Sequence, residues 1–397
     1  MQILSKLFIV FLTSFTCGYL LFTFCFFNEI QISGSDYKSY ITGAKIILGG
    51  ERNNLYTIET QEKYQKEIFK NDQIILPFRM LPLFAFIFIP FSFASLTLGY
   101  RIYYLLNILL AIVCVILFSK FFEGRKLDYL LLVFIFFPLV ANIIFAQIII
   151  ILMILYLLVL LFFKKDRYLA GGVLSSVLIN KPHFLIFILF LFLMSKRKIK
   201  FLTGLFLGLV VMITFSLSVV GFEGFLSYPG FLLRTENTYY GGDIVKMISV
   251  PSVISFILKS RMSIIMIYLT NLFILLSFTI YFFSKSRGKN IELLSSSSTL
   301  AALAFLPHSW YHDLTFMLIS IAYILKIIKL EKSKEVKIIL NILLVILVLI
   351  YFIGKLISNL VIPFILLFAS IILLNQDKLR KLRFARYINF AKLNMIK

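Results

Sequence analysis

An aspartate just after the first apolar run is the strongest candidate for acid–base chemistry in this chain. Asp36 opens the stretch DYKSYITGAKIILGG (36–50), in which Tyr37 and Tyr40 recur at helical spacing. At the start of a helix, an aspartate often does no more than accept hydrogen bonds from free backbone N–H groups. Held beside substrate-binding tyrosines, the same carboxylate could remove a proton from a hydroxyl group. The residue pattern leaves both roles open.

Three further candidates are the basic side chains of Lys181, Arg79 and Arg234. Lys181 lies in the middle of an apolar segment, immediately before Pro182. A charge at the centre of a membrane span costs about 2.5–3.5 kcal/mol on insertion scales, so we expect Lys181 to have a partner or a wet cavity. The alternatives are a residue at the outer interface for Lys181, a snorkelling anchor for Arg79 and a solvated charge for Arg234.

The histidines of the chain, His183, His308 and His312, all fall at predicted turns or segment ends. Because no H-E-x-x-H spacing accompanies them, we predict that they hold no metal. His312 with Asp313 suits contact with a phosphate or a substrate hydroxyl, and His308 reads as an interfacial polar residue. Gln147, a lone amide between apolar runs, would bind either a substrate or a neighbouring helix.

Motifs for nucleotides and redox cofactors are missing from the sequence. It has no G-x-x-x-x-G-K-[ST] loop and no G-x-G-x-x-G turn after a strand. Cys17, Cys25 and Cys114 lie in apolar runs without a C-x-x-C spacing, which favours plain lipid-facing or core side chains. We therefore predict a protein without a cofactor, whose substrate arrives already activated.

The composition places these residues in a membrane protein. Of the 397 residues, 61% are hydrophobic and only 15% are charged, and the mean hydropathy is +0.99. Apolar runs long enough to cross about 30 Å of hydrocarbon recur along the chain. We predict an all-α, polytopic transmembrane helical bundle with about 12 spans, which excludes a soluble enzyme. The apolar segments are 6–27, 80–98, 102–119, 128–163, 168–195, 199–220, 262–283, 291–306, 311–327, 338–354 and 355–374.

The net charge of +22 reflects topology rather than nucleic-acid binding. Lysine and arginine cluster in short loops such as 164–167, 195–200, 284–289 and 329–337, as cytoplasmic loops do. The pattern predicts cytoplasmic N- and C-termini, and a basic tail (376–397) that lies against membrane lipids. It places a first loop (28–75) and a second loop (221–261) on the outer side of the cytoplasmic membrane, within one integral membrane domain (1–397).

Several segments are expected to be irregular. In the first loop we predict an interfacial amphipathic helix over 36–50, ending at Gly49-Gly50, and a second helix over 58–70. The run 128–163 is long enough for two helices, which leaves the number of crossings between 76 and 163 open. Proline should break 168–195 into a V-shaped pair of short helices, and 246–260 could only dip into the membrane.

The order of short motifs resembles glycosyltransferase family 87. The resemblance runs over roughly 30–320 and rests on D-Y-x-x-Y-x-x-A-x-x-I-L-x-G from Asp36, N-L-Y (54–56) and F-R-M-L-P-L-F-A (78–85). Downstream, Ala146-Gln147 occupies the place of a Gly-Gln motif. Ala170-Gly171 with Lys181-Pro182, and Ser309 with His312-Asp313, follow in the same order as further elements of that family.

This resemblance implies a GT-C fold and an inverting transfer of a sugar, commonly mannose, from a polyprenyl-phosphate donor to a lipid-linked or glycan acceptor. Asp36 matches the base that deprotonates the acceptor hydroxyl. The cations and His312 would then surround the departing phosphate. The residues assigned to the donor phosphate are Arg79, Lys181, Arg234 and His312, and those assigned to substrate binding are Tyr37, Tyr40, Gln147, His183 and Asp313.

Two other classes of membrane protein remain as alternatives. A transporter or flippase of lipid-linked sugars should show paired repeats with broken helices in corresponding positions. The chain has one such break, at Lys181-Pro182, without an evident counterpart in its other half. A scaffolding subunit would not require polar groups to gather on one side.

Overall fold

The computed structural model describes residues 2–70, 74–236, 240, 244–258 and 263–377, and it is helical throughout, with no strand in these ranges. The basic tail from 378 and the parts of the second loop at 237–239, 241–243 and 259–262 lie outside the described residues. The chain forms two compact units. The first comprises Met1–Met247 with Trp310–Thr315, and the second comprises Ile248–Ser309 with Phe316–Lys397.

The first unit contains the helices α1 to α12. They are α1 (Gln2–Phe26), α2 (Glu29–Ser33), α3 (Tyr37–Leu48), α4 (Ile58–Ile68), α5 (Pro82–Ser92), α6 (Leu96–Phe122), α7 (Lys126–Ile135), α8 (Phe137–Ile144), α9 (Ile149–Lys164), α10 (Tyr168–Ser175), α11 (Leu185–Met194) and α12 (Lys198–Thr235).

The second unit contains α13 to α19. They are α13 (Val250–Ile257), α14 (Ile264–Ser286), α15 (Ile291–Phe305), α16 (Met317–Leu330), α17 (Lys334–Val348), α18 (Ile350–Leu356) and α19 (Ile362–Leu374).

In the described ranges, three helices are individually long and apolar enough to span a membrane: α6, α12 and α14. Two bent pairs, α7 with α8 (67°) and α17 with α18 (62°), would raise that number to five if each is one span. The shorter apolar helices have 10–17 residues, with α1 counted over Val10–Phe26 only. The all-helical class is thus confirmed and the apolar helices support a membrane protein, whereas the number of spans stays a prediction because many apolar runs are broken into short pieces.

The predicted break in 168–195 is present. Residues Ser176–Asn180 and Pro182–Phe184 form short 3-10 turns, and Lys181 between them has extended backbone angles (φ −108, ψ 94). Proline disfavours the helical region for the residue before it, which explains this conformation. The break removes Lys181 from any helix and frees its side chain to reach a distant part of the chain.

Glycines allow α10 and α12 to pack backbone to backbone. A Cβ atom on Gly172 would collide with the carbonyl oxygen of Phe201, and one on Gly204 with that of Leu169. Small residues at such a contact are typical of membrane helices, where association depends on close packing. This contact anchors the first arm of the broken segment that carries Lys181.

The helix predicted over 36–50 is confirmed as α3, but its environment differs from the expected interface. Tyr37 to Ala44 are all buried, and a Cβ atom placed on Gly43 would lie only 3.1 Å from the side chains of Ala85 and Phe78. The apolar residues at helical spacing in 36–50 indicate that one face of the helix makes an apolar contact. This spacing cannot show that other parts of the protein also cover the polar face. The helix is therefore held inside the unit.

The second polar helix is α4, and its glutamines bind backbone rather than water. Gln65 Nε2 donates to Leu76 O (2.7 Å) and Gln65 Oε1 accepts from Leu76 N (3.0 Å). Gln61 Oε1 accepts from Phe78 N (2.7 Å). Together they fix the non-helical residues 74–78 that lead to Arg79.

The second predicted loop is helical over most of its first part. α12 continues to Thr235 and is interrupted only at Gly221 (φ 72, ψ 175), a conformation that favours glycine. The glycine and polar content of 221–235 indicated a loop, yet Phe222, Leu226 and Leu233 supply exposed apolar side chains suited to a helix in lipid. Of the possible re-entrant segment, the eight residues of α13 are helical.

Candidate active site

The centre of the candidate site is a buried ion pair between residues 132 positions apart. Lys181 Nζ lies 2.6 Å from Asp313 Oδ1, and the two side chains are 6% and 0% exposed. The break before Pro182 presents the lysine, and the turn before α16 presents the aspartate. Since a buried charge without a partner is strongly destabilising, this pair satisfies the sequence expectation for Lys181.

Asp313 is further held by its own turn. Its Oδ2 accepts a hydrogen bond from Trp310 N (2.9 Å) and lies 3.6 Å from His312 Nε2. Burial by itself would raise the pKa of this carboxyl, but the charge of Lys181, then those of His312 and His183, keep it well below its usual range. Asp313 is therefore an anion, with His183 and His312 near it.

Asp36 is at the N-cap position of α3 but does not cap the helix with its side chain. Within the described residues, its carboxylate makes no hydrogen bond or ion pair. The residue is half-buried, and burial raises its pKa to about 6, assisted by Asp313 and opposed by Lys181 and Arg79. An open carboxylate enclosed by protein, with its pKa near neutrality, can exchange a proton with a substrate.

Tyr40 bonds to Gln147 and lies near Asp36. Tyr40 Oη donates to Gln147 Oε1 (3.4 Å), and Gln147 is 3% exposed. Burial raises the pKa of Tyr40 well above its ordinary value, the nearby Asp36 raises it further, and the backbone N–H of Ile148 acts in the opposite direction. Tyr37 is fully buried against the rings of Phe88, Tyr100 and Tyr103 and so contributes packing.

The turn that carries Gln147 adopts an unusual backbone conformation. Ala146 has φ 53, in the left-handed region that costs a non-glycine residue roughly 1–2 kcal/mol. The turn is tied to its surroundings: Asp36 N donates to Phe145 O (3.1 Å) and Gln147 N donates to Asn142 O (2.9 Å). The glycine of the related motif would relieve this strain, whereas the alanine is held by the bonds around it.

Asn142 belongs to the site, although sequence reasoning did not single it out. Its Nδ2 lies within hydrogen-bond distance of Pro138 O (2.8 Å), His312 O (2.9 Å) and Thr315 Oγ1 (2.6 Å). The residue has no exposed surface. An asparagine inside an apolar run was the available signal, because a buried amide needs partners.

Arg79 reaches the end of α12. Its Nε donates to Thr235 Oγ1 (3.1 Å) and its Nη2 to the carbonyl oxygens of Thr235 and Tyr240, while Nη1 lies 3.8 Å from Glu236 Oε2. Its charge acts on Asp36. Arg234, by contrast, is exposed on the last turn of α12.

The first unit thus brings together most of the predicted residues. A base candidate lies beside a cation, an anion and an amide, while His183 and His312 are half-buried around Asp313. Such a set can accept a proton from one substrate and stabilise negative charge on another.

Comparison with known proteins identifies the family. The model of glycosyltransferase family 87 matches residues 82–318, which is more than half of the chain and includes Gln147, Lys181 and Asp313. The match begins after Asp36, Tyr40 and Arg79. No curated protein and no solved structure gives a significant match. The chain belongs to glycosyltransferase family 87.

Proposed function

We propose that the protein is an inverting GT-C glycosyltransferase of the cytoplasmic membrane. It transfers a hexose, with mannose as the first sugar to test, from a polyprenyl-phosphate sugar to a lipid-linked or glycan acceptor. The reaction takes place at the outer face, and the N- and C-termini lie in the cytoplasm. The family supports the transferase class, and the open carboxylate of Asp36 is the observation that carries the mechanism.

In this proposal Asp36 is the general base. It removes the proton from the acceptor hydroxyl as that oxygen attacks the anomeric carbon, and the bond from this carbon to the phosphate oxygen breaks. A single displacement of this kind inverts the anomeric centre. A pKa of about 6 leaves Asp36 ionised at neutral pH and still basic enough to assist proton removal.

The donor phosphate would be bound on the side of Lys181. Charge-assisted hydrogen bonds stabilise a leaving phosphate most where water is scarce. Lys181 already has Asp313 as a counter-ion, so we assign the phosphate to a position where it shares Lys181 with Asp313 and approaches His312. Arg79 is the second cation, and the exposed Arg234 could meet the phosphate only from the surface.

The test uses Asp36→Asn and Asp36→Ala in full-length protein in proteoliposomes. The donor is polyprenyl-phosphate mannose labelled in the sugar, and the acceptors are membranes from cells in which the protein has been deleted. Because general-base catalysis contributes about 10²–10⁴-fold, we expect a loss of that size in kcat with little change in the donor KM. Asp128→Asn makes the same chemical change at the start of α7 and serves as the matched control.

Wild-type transfer rates in both Asp36 variants would contradict the proposal. Movement of intact labelled lipid between leaflets by the wild-type protein, without any glycosidic product, would instead favour the transporter alternative.

A further inference from the structure

Gln147 has its backbone and its side-chain oxygen engaged, and its side-chain nitrogen is open. Its backbone N–H donates to Asn142, and its backbone oxygen accepts from Tyr103 Oη at 3.3 Å. Its Oε1 accepts from Tyr40. Within the part of the chain that the structure describes, Nε2 has no hydrogen-bond partner, and it is not among the atoms sealed from solvent. An amide donor left open in a buried site is available to a ligand.

The orientation of this amide has a physical cause. The hydroxyl group of Tyr40 donates to Gln147 Oε1 at 3.4 Å. Since a carboxamide has one oxygen and one nitrogen, fixing the oxygen toward Tyr40 turns Nε2 away from it. The nitrogen is therefore the group that Gln147 presents.

Asp36 lies beside the same tyrosine. Its charge acts on Tyr40, and its backbone N–H bonds to Phe145, two residues before Gln147. One side of the site thus offers an open hydrogen-bond acceptor at Asp36 and an open donor at Gln147. The cation Lys181 is directed to Asp313 instead.

We propose that Gln147 Nε2 donates a hydrogen bond to the oxygen on the carbon next to the reacting hydroxyl, so that the acceptor is a sugar or polyol and not a simple alcohol. This inference rests on the proposed function, because it places the acceptor next to Asp36, the proposed base. A neutral donor beside a carboxylate binds an oxygen that carries no charge, which fits a neighbouring hydroxyl or ether oxygen and not a phosphate. Gln147 acts as a specificity-determining residue that contacts the substrate.

The decisive variants are Gln147→Glu and Gln147→Met. Glutamate keeps the oxygen that Tyr40 binds and replaces only the donor, and methionine conserves the volume in case the glutamate variant does not fold. Gln31→Glu is the matched control. Gln31 is exposed, and its side-chain oxygen accepts from Asn28 N in a capping box that a glutamate also completes.

The assay is the transfer from labelled polyprenyl-phosphate mannose to membranes of the deletion strain, followed by methylation analysis of the labelled product. In both Gln147 variants we expect kcat/KM for the acceptor to fall at least about tenfold, as for a lost hydrogen bond in a buried site, with the donor KM unchanged. Gln147→Glu should also move the midpoint of the pH–rate profile upward, because a second carboxylate raises the pKa of Asp36. Gln147→Met should leave that midpoint in place.

The outcomes separate the two proposals. No transfer by the wild-type protein would refute the proposed function. Wild-type transfer with unaltered Gln147 variants, or with a raised donor KM, would overturn the role of Gln147 alone. A labelled product attached to a polyprenol or to a serine side chain would overturn the acceptor class, whereas attachment to a carbon whose neighbour bears oxygen supports it.

Discussion

Each unit contains a lysine–carboxylate pair inside a polar cluster. The two clusters differ in whether the polar groups beside the pair have hydrogen-bond partners. In the second unit, Lys326 lies 2.7 Å from Glu292. The nearby serines of α15 bond to adjacent helices: Ser297 Oγ lies 2.8 Å from Ser370 Oγ, and Ser320 Oγ donates to Ser296 O (2.7 Å). In the first unit, the Lys181–Asp313 pair has beside it the open groups of Asp36 and Gln147.

This difference distinguishes polar groups that join helices from polar groups that keep free hydrogen-bonding capacity, which we propose is used by a substrate. Serine hydroxyls bonded across α15, α16 and α19 satisfy one another and suit helix association in lipid. An open carboxylate and an open amide lower stability when the site is empty, and binding can repay that loss. The same residue types thus serve different purposes according to whether their hydrogen bonds are complete.

The largest effect that tests this comparison is expected from breaking the two ion pairs in parallel. Lys181→Met leaves Asp313 as a buried unpaired charge and should destabilise the protein by about 3–5 kcal/mol. Adding Asp313→Leu should restore the melting temperature without restoring transfer, because in the proposed mechanism these charges bind the donor. The corresponding double variant of the second unit, Lys326→Met with Glu292→Gln, should lower the melting temperature only modestly and leave the donor KM unchanged. Recovery of transfer in the Lys181/Asp313 double variant would contradict a functional difference between the two clusters.

A smaller effect is expected from the pH dependence of Asp36. Because its pKa is raised to about 6, kcat/KM should increase with pH through a midpoint near 6. The folded protein holds this proton more tightly than the unfolded chain does. The contribution of Asp36 to the free energy of unfolding should therefore fall as the pH rises from the ordinary pKa of an aspartate toward 6, and it should remain level above pH 6. Asp36→Asn should accordingly melt at a higher temperature than the wild type at pH 7. A profile that is flat between pH 5 and 7 would contradict Asp36 as the base.

The smallest effect concerns Ala146. Replacing it with glycine removes the left-handed strain but gives the unfolded chain more freedom, so the net change in unfolding free energy should be below about 1 kcal/mol. Transfer should be retained, since the bonds to Asn142 and Asp36 involve backbone atoms of neighbouring residues. Thermal melting and the donor assay measure both. Loss of transfer in Ala146→Gly would show that the site requires the methyl group.

Local features of the site were predictable from the sequence, whereas its long-range pairing was not. The helix after Asp36 and the break at Lys181-Pro182 follow from spacing and proline chemistry, which act over a few residues. The bond of Lys181 to Asp313 depends on how distant segments pack, and no local pattern encodes it. Asn142 was overlooked because average hydropathy conceals one amide among apolar neighbours.

The fold shows the same limits. Hydropathy identified the apolar runs, but it did not show that α3 is covered on its polar side or that α12 continues past Gly221. Both depend on neighbouring segments and on lipid, and sequence periodicity reports neither. Family membership came from the order of motifs, which survives when single positions differ, as at Ala146.

The non-helical residues 74–78 have a consequence for Arg79. Leu76 and Phe78 bond to the side-chain amides of Gln65 and Gln61, and Ile74 O accepts from Lys38 Nζ, so side chains take the place of the neighbouring strand that a sheet would provide. Hydrogen bonds to side chains can break one at a time while the helices stay folded. The segment before Arg79 can therefore open locally, while Arg79 keeps its own bonds to Thr235 and Tyr240.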